Sequence, residues 1–254
     1  MGKSLEGKYA GLIRYSTDID LKEILRWLKV QDKKGVEGTF FCNRNLTIDS
    51  HNKGELLVYI DLETDKPIAY QWGGLITPGI LEVRADKRSR GIGKKLVEYR
   101  IMEARKNDKC LLMIQCTPKT SIPFWEVMGF QLYGANNYAF RLLDNKHNLP
   151  EHGVACQLKI CFYTAERKWR DDTSPIKIFI PSASITSDNV VHLSARVSFF
   201  DVRESYHQDT VISIHVDGKQ IYLDEAFDQK ARALGVKRDG KAFYIDDLDL
   251  KKCI

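Results

Sequence analysis

The run Arg88-Ser89-Arg90-Gly91-Ile92-Gly93 stands between a strand-like tetrad, Ile80-Leu81-Glu82-Val83, and a long helical pattern. A strand that turns through glycine into a helix points the helix's first N–H groups outward, where they have no intrahelical partner. Those groups and the helix dipole favour an anion. Gly91 and Gly93 remove the Cβ atoms that would hold a ligand off the backbone. Arg88, Arg90, Lys94 and Lys95 make the turn electropositive, so the segment is expected to hold a pyrophosphate. Two common phosphate turns are excluded by spelling. A dinucleotide fingerprint needs a third glycine where Leu96 stands, and no Gly-x-x-x-x-Gly-Lys-Ser/Thr occurs in the chain.

The flanks extend the pattern. After the turn, Ile92, Leu96 and Tyr99 form one helical row and Val97, Ile101 and Ala104 its neighbour, a stripe broad enough to face a sheet. Cys110 to Cys116 is a nearly continuous apolar run, as in a strand covered on both faces. Thr117-Pro118 stops it. Ser121 to Met128 suits a short helix with Pro123 in its first turn, and Gly129-Phe130 closes that helix and opens another strand. Upstream, Tyr9 to Tyr15 reads as an opening strand. A helix follows, capped by Asp20 with Glu23 completing the box, its face made by Leu21, Ile24, Leu25 and Leu28 and its end near Gln31. Asp32 to Gly38 reads as a polar loop. Glu55 to Asp61 and Pro67 to Trp72 are expected to be strands joined through Glu63-Thr64-Asp65-Lys66.

The spelling Arg/Gln-x-x-Gly-x-Gly/Ala, followed by long helix, buried strand, short helix and Gly-Phe, resembles the GNAT superfamily of N-acetyltransferases over about residues 8–143. The resemblance implies an α/β fold, a GNAT-like mixed sheet with helices on both faces, in which the fifth strand splays from the fourth. It also implies acetyl-CoA as co-substrate and direct transfer of its acyl group to a primary amine. Leu81 and Val83 would pair with the pantetheine arm, and Arg88, Ser89, Arg90, Gly91, Ile92, Gly93 and Lys94 would hold the pyrophosphate. Two positions depart from the pattern. Trp125 stands where many relatives carry a tyrosine acid, and Pro118 where many carry an asparagine.

An alkylammonium titrates near ~10.4, so amine attack calls for a base. Glu82 is the leading candidate, since a period-two strand turns it away from Leu81 and Val83; otherwise it is a partly exposed carboxylate paired with Arg84 or another cation. Tyr133 and Tyr138 are read as proton carriers or packing, Trp72 beside Gly73-Gly74 as acceptor pocket or core, and Cys116 as a buried thiol. The acceptor is not legible. Two further readings stay open: a non-catalytic acyl-CoA-binding sensor, and a toxin-like transferase acting on charged tRNA or protein.

The chain's 254 residues suit two domains. Asp144 to Gly153 is the candidate linker, giving an acyltransferase domain over 1–145 and a β-rich α+β domain over 152–254. Residues 1–145 carry 23 lysines and arginines against 18 acids, and the remainder 16 of each. The net charge of +5 thus lies in the first half, which suits an anionic cofactor; a nucleic-acid partner is not expected, and a homodimer is left open. The six cysteines form no C-x-x-C pair and read as thiols of a reducing cytoplasm. Met1 to Gly11 has no apolar core of a signal peptide, Glu6 spoils the myristoylation spelling after Gly2, and no stretch approaches the ~20 apolar residues of a membrane span.

In the second half, Val154–Tyr163, Ile176–Ile180, Val190–Phe200, Val211–Val216 and Gln220–Leu223 read as strands, with Asp217-Gly218 a type I′ hairpin turn. Asp224 is expected to cap a helix through Leu234 that Gly235 ends. The spacings of His192, His207 and His215 match no zinc pattern, so no metal is expected.

Overall fold

The computed structural model describes residues 12–202 and 210–253. The chain forms two compact units, Met1–Asp108 with Leu112–Arg141, and Lys109–Leu111 with Leu142–Ile254. The readings placed on Gly2, Glu6, Tyr9 and His207 lie outside the described residues.

In the first unit, β1 (Ile13–Tyr15) leads into α1 (Asp18–Lys33) and α2 (Arg44–Asn52). Strands β2 (Leu57–Asp61), β3 (Lys66–Trp72) and β4 (Ile80–Val83) follow, and the four strands pair antiparallel in the order β1-β2-β3-β4. Alternation along β2 sends side chains to two faces. Val58 and Ile60 pack with Ile24, Trp27 and Leu28 of α1. Leu57 and Tyr59 pack with Ile92 and Leu96 of α3 (Ile92–Lys106). Each such aliphatic side chain contributes about 1.5–3 kcal/mol by leaving water, so helices are held on both faces.

After α3 come β5 (Leu111–Gln115), α4 (Ile122–Val127), β6 (Gln131–Tyr133) and β7 (Tyr138–Leu142), with β5-β7-β6 as a separate sheet. Thus β4 and β5 share no ladder. The segment before β4 touches β5, where the Thr77 N–H donates to Met113 O (2.9 Å) and the Met113 N–H to Leu75 O (3.1 Å). This is the element order and the parted fourth and fifth strands that the resemblance implies.

The start of α1 needs correcting. Thr17, not Asp20, is the N-cap, and Asp20 is its N3 partner: the Thr17 N–H donates to Asp20 Oδ2 (2.7 Å), and Arg14 donates to the same carboxylate. The sequence signal was a Thr-x-x-Asp box lying three residues before the expected one. Helix α2 was not foreseen, because it buries only Thr47 and Ser50 and presents no apolar stripe.

Among the described residues, the second unit is an antiparallel sheet with one short α-helix. Its elements are β8 (Val154–Tyr163), β9 (Lys177–Phe179), β10 (Ser182–Ile185), β11 (Val190–Phe199), β12 (Val211–Val216), β13 (Lys219–Glu225), α5 (Gln229–Leu234), β14 (Lys237–Asp239) and β15 (Ala242–Asp249). The order is β13-β12-β8-β10-β11-β15-β14, with β9 also on β8. Strands β9 and β10 lie end to end along β8, Phe179 opposite Ile160 and Ser182 opposite Gln157. Pro181 falls at the break, where a residue without N–H cannot serve the ladder. The hairpin turn is as expected, with φ of 49° at Asp217 and 78° at Gly218.

Two expectations shift here. The helix cap is Asp228, which accepts from the Lys230 N–H (3.0 Å), while Asp224 stays in β13 opposite Ile212. The helix ends as foreseen at Gly235, whose φ is 122° and where a Cβ would lie 2.3 Å from Asp247 O. The supposed linker is partly fixed: the His147 N–H donates to Ser194 O (2.9 Å) and the Arg196 N–H to Asn145 O (2.8 Å), where β11 and β15 lose register between His192 and Val197. The main segment of the second unit begins at Leu142, just ahead of the expected linker Asp144 to Gly153.

Candidate active site

The glycine turn is built by two left-handed residues, Ser89 (φ 60°) and Gly91 (φ 74°). Gly91 is the N-cap of α3 and supplies no side-chain cap, so the N–H groups of Ile92, Gly93 and Lys94 are left for a ligand. A Cβ added at Gly91 would meet no heavy atom within 4 Å; the space above it is open. Gly93 lines the cavity as well and also faces α4. A Cβ there would sit in van der Waals contact with Phe124 Cζ, 3.4 Å away. Arg88 is also occupied within the protein: its Nε donates to Val83 O (3.1 Å) and its Nη1 to Glu37 O (2.9 Å). It braces the turn. Ser89, Gly91, Ile92, Gly93 and Lys94 line the adjoining cavity with Leu81 and Val83, whereas Arg90 is exposed and lies off its wall.

The cavity, about 790 Å³, occupies the gap between β4 and β5 and falls in the range of small-molecule sites. Backbone parity fixes what β4 presents to it. The Arg84 N–H donates to Ile68 O (2.9 Å), and opposite residues alternate between bonded and non-bonded pairs. Glu82 therefore exchanges bonds with Tyr70, while the peptide groups of Leu81 and Val83 point away from β3, toward the edge that has no neighbouring strand. Of these, Val83 O is already taken by Arg88.

Glu82 is 2% exposed. Its Oε1 accepts from Gln31 Nε2 (3.1 Å), and its Oε2 from the Phe40 N–H (3.1 Å) and the Tyr70 hydroxyl (3.1 Å). Burial raises the carboxyl strongly; the Phe40 and Tyr70 hydrogen bonds, the Arg88 charge and Gln31 offset only part of this, leaving it at about 7. The alternative pairing with Arg84 is overturned, because Arg84 holds Asp86 through two hydrogen bonds (2.7 and 3.0 Å). Tyr70 itself is pushed well above its ordinary range, first by burial and then by Glu82.

Tyr133 is not brought to this cavity. Its ring packs against Tyr138 and Phe140, with centroids 6.1 and 5.7 Å away. Trp125 packs edge-on against Phe130. Trp72 lies on the Glu82 face of the sheet, opposite Ile80, and lines the cavity. Its Nε1 is buried without an acceptor, and so is Gln71 Oε1 without a donor, on the opposite face beside Leu81. Burial pushes the Cys116 thiol up, as suits an inert core cysteine. Among the described residues no cluster of His, Cys, Asp or Glu could hold a metal, and no helix is long and apolar enough to cross a membrane.

Sequence reasoning missed Gln31, Phe40 and Tyr70. Gln31 had a signal, a polar residue continuing the Ile24 and Leu28 stripe of α1. Tyr70 follows from the β3–β4 register. Phe40 acts through its backbone and left none.

By sequence, the chain matches no protein-family profile and no curated protein. By structure, about half of it is similar to N-acetyltransferases. A GNAT-family acetyltransferase from Staphylococcus aureus Mu50 is 15% identical with a TM-score of 0.41, over 52% of this chain and 98% of that one. The ribosomal-protein-alanine N-acetyltransferase of Brucella melitensis is 22% identical, TM-score 0.39, over 52% and 99%. Ard1 from Thermoplasma volcanium is 16% identical, TM-score 0.40, over 52% and 96%.

Proposed function

We propose that the first unit is an acyl-CoA-dependent N-acyltransferase that uses acetyl-CoA and acylates a primary amine by direct attack. One observation carries this reading: a buried carboxyl held at about 7 lies on the strand whose open edge faces a cleft, with an uncapped helix N-terminus at the cleft's end. The residues fit the donor. The N–H groups at the start of α3 suit its pyrophosphate, with Lys94 beside them, and the outward peptide groups of β4 suit the amides of its pantetheine arm. Acetyl-CoA supplies an acyl group activated as a thioester, whose thiol, with a pKa near ~8.5, leaves without a strong acid. Trp125, which has no proton to give, is therefore compatible with transfer. Glu82, ionised above about 7, takes the ammonium proton and frees the nitrogen lone pair. Tyr70, Gln31 and the Phe40 N–H hold its carboxylate in place. The N–H groups of Leu81 and Val83 are donors available to charge developing beside β4.

The test is thiol release from acetyl-CoA across a panel of amines, with thermal unfolding followed in parallel. Acetyl-CoA at ~100-fold over its Kd should stabilise the fold by about 2.7 kcal/mol. Gly91→Ala should remove much of that shift, because its Cβ enters the open space above the turn. Acceptor-dependent release supports the enzyme; stabilisation without release for any amine points to a binding module instead.

A further inference from the structure

The connection between α1 and α2 bridges the two sides of the gap between β4 and β5. Val36 still belongs to the end of α1, through its N–H to Gln31 O (3.1 Å). Beyond it, Glu37, Gly38 and Phe40 line the cavity together with Arg88, which follows β4, and Pro118 and Thr120, which follow β5. On the β4 side Arg88 Nη1 donates to Glu37 O (2.9 Å). On the β5 side the Thr120 hydroxyl donates to Glu37 Oε1 (3.2 Å). Gly38, with φ of 72°, sits against both sides: a Cβ there would lie 3.3 Å from Pro118 Cδ and 3.8 Å from Arg88 Nη2. Residues 37–40 therefore form a short strap.

Side chains fasten it. Besides the two bonds on Glu37, Gln31 Nε2 donates to Thr39 Oγ1 (3.3 Å) and the Phe40 N–H donates to Glu82 Oε2 (3.1 Å). Among the described residues the strap belongs to no helix or strand ladder, and a segment held by a few side-chain bonds opens more readily than the elements it joins. The Phe40 bond ends on a carboxyl that changes charge near neutral pH. The groups that face this carboxyl are Gln31 from α1, the Phe40 N–H, Tyr70 from β3, with Cys42 and Thr47 beside it, and the Arg88 charge from the glycine turn. An N–H can only donate, so its bond is strong toward the carboxylate and weaker once the carboxyl is protonated. The Tyr70 hydroxyl can rotate to accept the new proton; the Phe40 N–H cannot.

We infer that closure of the strap and ionisation of Glu82 are coupled. The carboxylate draws the Phe40 N–H, and the strap with it, against the β4 side; protonation loosens that hold. In return the Glu37–Thr120 bond, by keeping the strap shut, keeps Glu82 ionised, because such linkage is reciprocal. Glu37 and Thr120 are positioning residues that act on Glu82 through the Phe40 backbone. This coupling goes beyond the acyltransferase reading and does not require it. Under that reading Glu82 holds the ammonium proton after transfer, so the strap slackens when products leave and tightens once the proton is lost.

Hydrogen–deuterium exchange of the full chain without ligand tests this, read by mass spectrometry on the strap and, for comparison, on residues 21–30 of α1. After correction for the intrinsic effect of pH on exchange, strap protection should fall roughly 2–10-fold from about pH 8 to about pH 5.5. Its midpoint should lie near 7, and α1 should keep its protection. Glu82→Gln should abolish this pH dependence. Thr120→Val and Glu37→Ala should each speed strap exchange about 2–5-fold at about pH 8. Both should also raise the Glu82 midpoint by roughly 0.3 pH unit or more, read from the carboxyl ¹³C resonance of Glu82. Thr120→Ser, which keeps the hydroxyl, should behave as wild type in both measurements. Strap protection that ignores pH, a pH response that survives in Glu82→Gln, or a change shared equally by α1 overturns the inference. So does faster exchange in Thr120→Val with an unchanged Glu82 titration. None of these results bears on acceptor-dependent thiol release, by which the acyltransferase reading stands or falls separately.

Discussion

Glu82 and Asp246 are buried to a similar degree, 2% and 6% exposed, and they end in opposite states. Burial pushes both carboxyls up. Around Asp246 that push is outweighed, because Arg196 donates to both oxygens (2.8 and 2.8 Å) and His147 and Lys237 add to it, so the carboxyl sits below its ordinary value. Around Glu82 the direct donors are all neutral groups, a side-chain amide, a peptide N–H and a phenol, and the carboxyl stands at about 7. The lesson concerns partners rather than depth. A fixed cation makes a buried carboxylate a structural ion, whereas neutral donors keep it in place yet leave its proton exchangeable near neutral pH.

The largest effect that would sharpen this contrast is on turnover. Glu82→Gln should lower kcat by ~10²–10⁴ while leaving the acetyl-CoA thermal shift nearly intact. Wild-type kcat/KM should rise with pH and level off above about 7 as Glu82 ionises. In the variant that limb should vanish, and the residual rate should climb with the fraction of neutral amine. Near-normal turnover of Glu82→Gln at neutral pH would move the base elsewhere.

The counterpart in the second unit is a stability effect. Arg196→Met strips Asp246 of its main partner and leaves a buried charge, at a cost of about 3–5 kcal/mol, readable in urea unfolding. Joint replacement, Arg196→Met with Asp246→Leu, should recover most of the loss, since the desolvated charge goes with its partner. A single variant as stable as the wild type would mean that Asp246 is solvated.

A third measurement, stability against pH, separates the two carboxyls by sign. Glu82 has a folded value near 7 against about 4.3 unfolded, so the folded state binds the extra proton. Its contribution is fully present below the unfolded value and is lost as pH rises to about 7, on the order of 3 kcal/mol. Asp246, lowered in the fold, contributes in the opposite sense: its stability is present above the unfolded carboxylate value and lost as pH falls through the folded one. Comparing urea midpoints from about pH 2 to 8, Glu82→Gln should flatten the slope between the unfolded carboxylate range and about 7 and leave the acid-side loss in place.

The contrast also marks what could be read in the sequence. The place of Glu82 was legible because strand β4, the glycine turn and α3 are consecutive and each follows its own period, two residues and then 3.6. Its state was not. Gln31 and Phe40 lie 51 and 42 positions away, and no local pattern shows that α1 and the segment after it close over the strand. Arg88 shows the same limit: the sequence marks a cation in a phosphate-type turn but not that two carbonyls hold its guanidinium. In the second unit, strands with apolar alternation and an Asp-Gly turn were legible. Strand β15 was not, because Asp246, Asp247 and Asp249 make it look like a polar tail until Arg196 and His192 are seen to pair with the first two.

The smallest predicted effect tests how far neutral donors matter. Tyr70→Phe removes one hydroxyl from Glu82 Oε2 and leaves the Phe40 N–H on that oxygen and Gln31 on the other. Since the lost hydrogen bond favours the ionised carboxyl, the pH–rate limb should move toward higher pH. A single neutral hydrogen bond is worth about 0.5–1.5 kcal/mol net, so turnover at pH 7 should fall roughly 2–10-fold and recover toward wild type at pH 9. The ring itself stays, packed against Trp27 at 5.9 Å between centroids, which keeps the core of the first unit intact. A pH-independent loss would instead indicate that Tyr70 positions the site through packing. A limb shifted toward lower pH would mean that the hydroxyl had been stabilising the protonated carboxyl, and the account of Glu82 as a carboxylate held by three donors would have to be reversed.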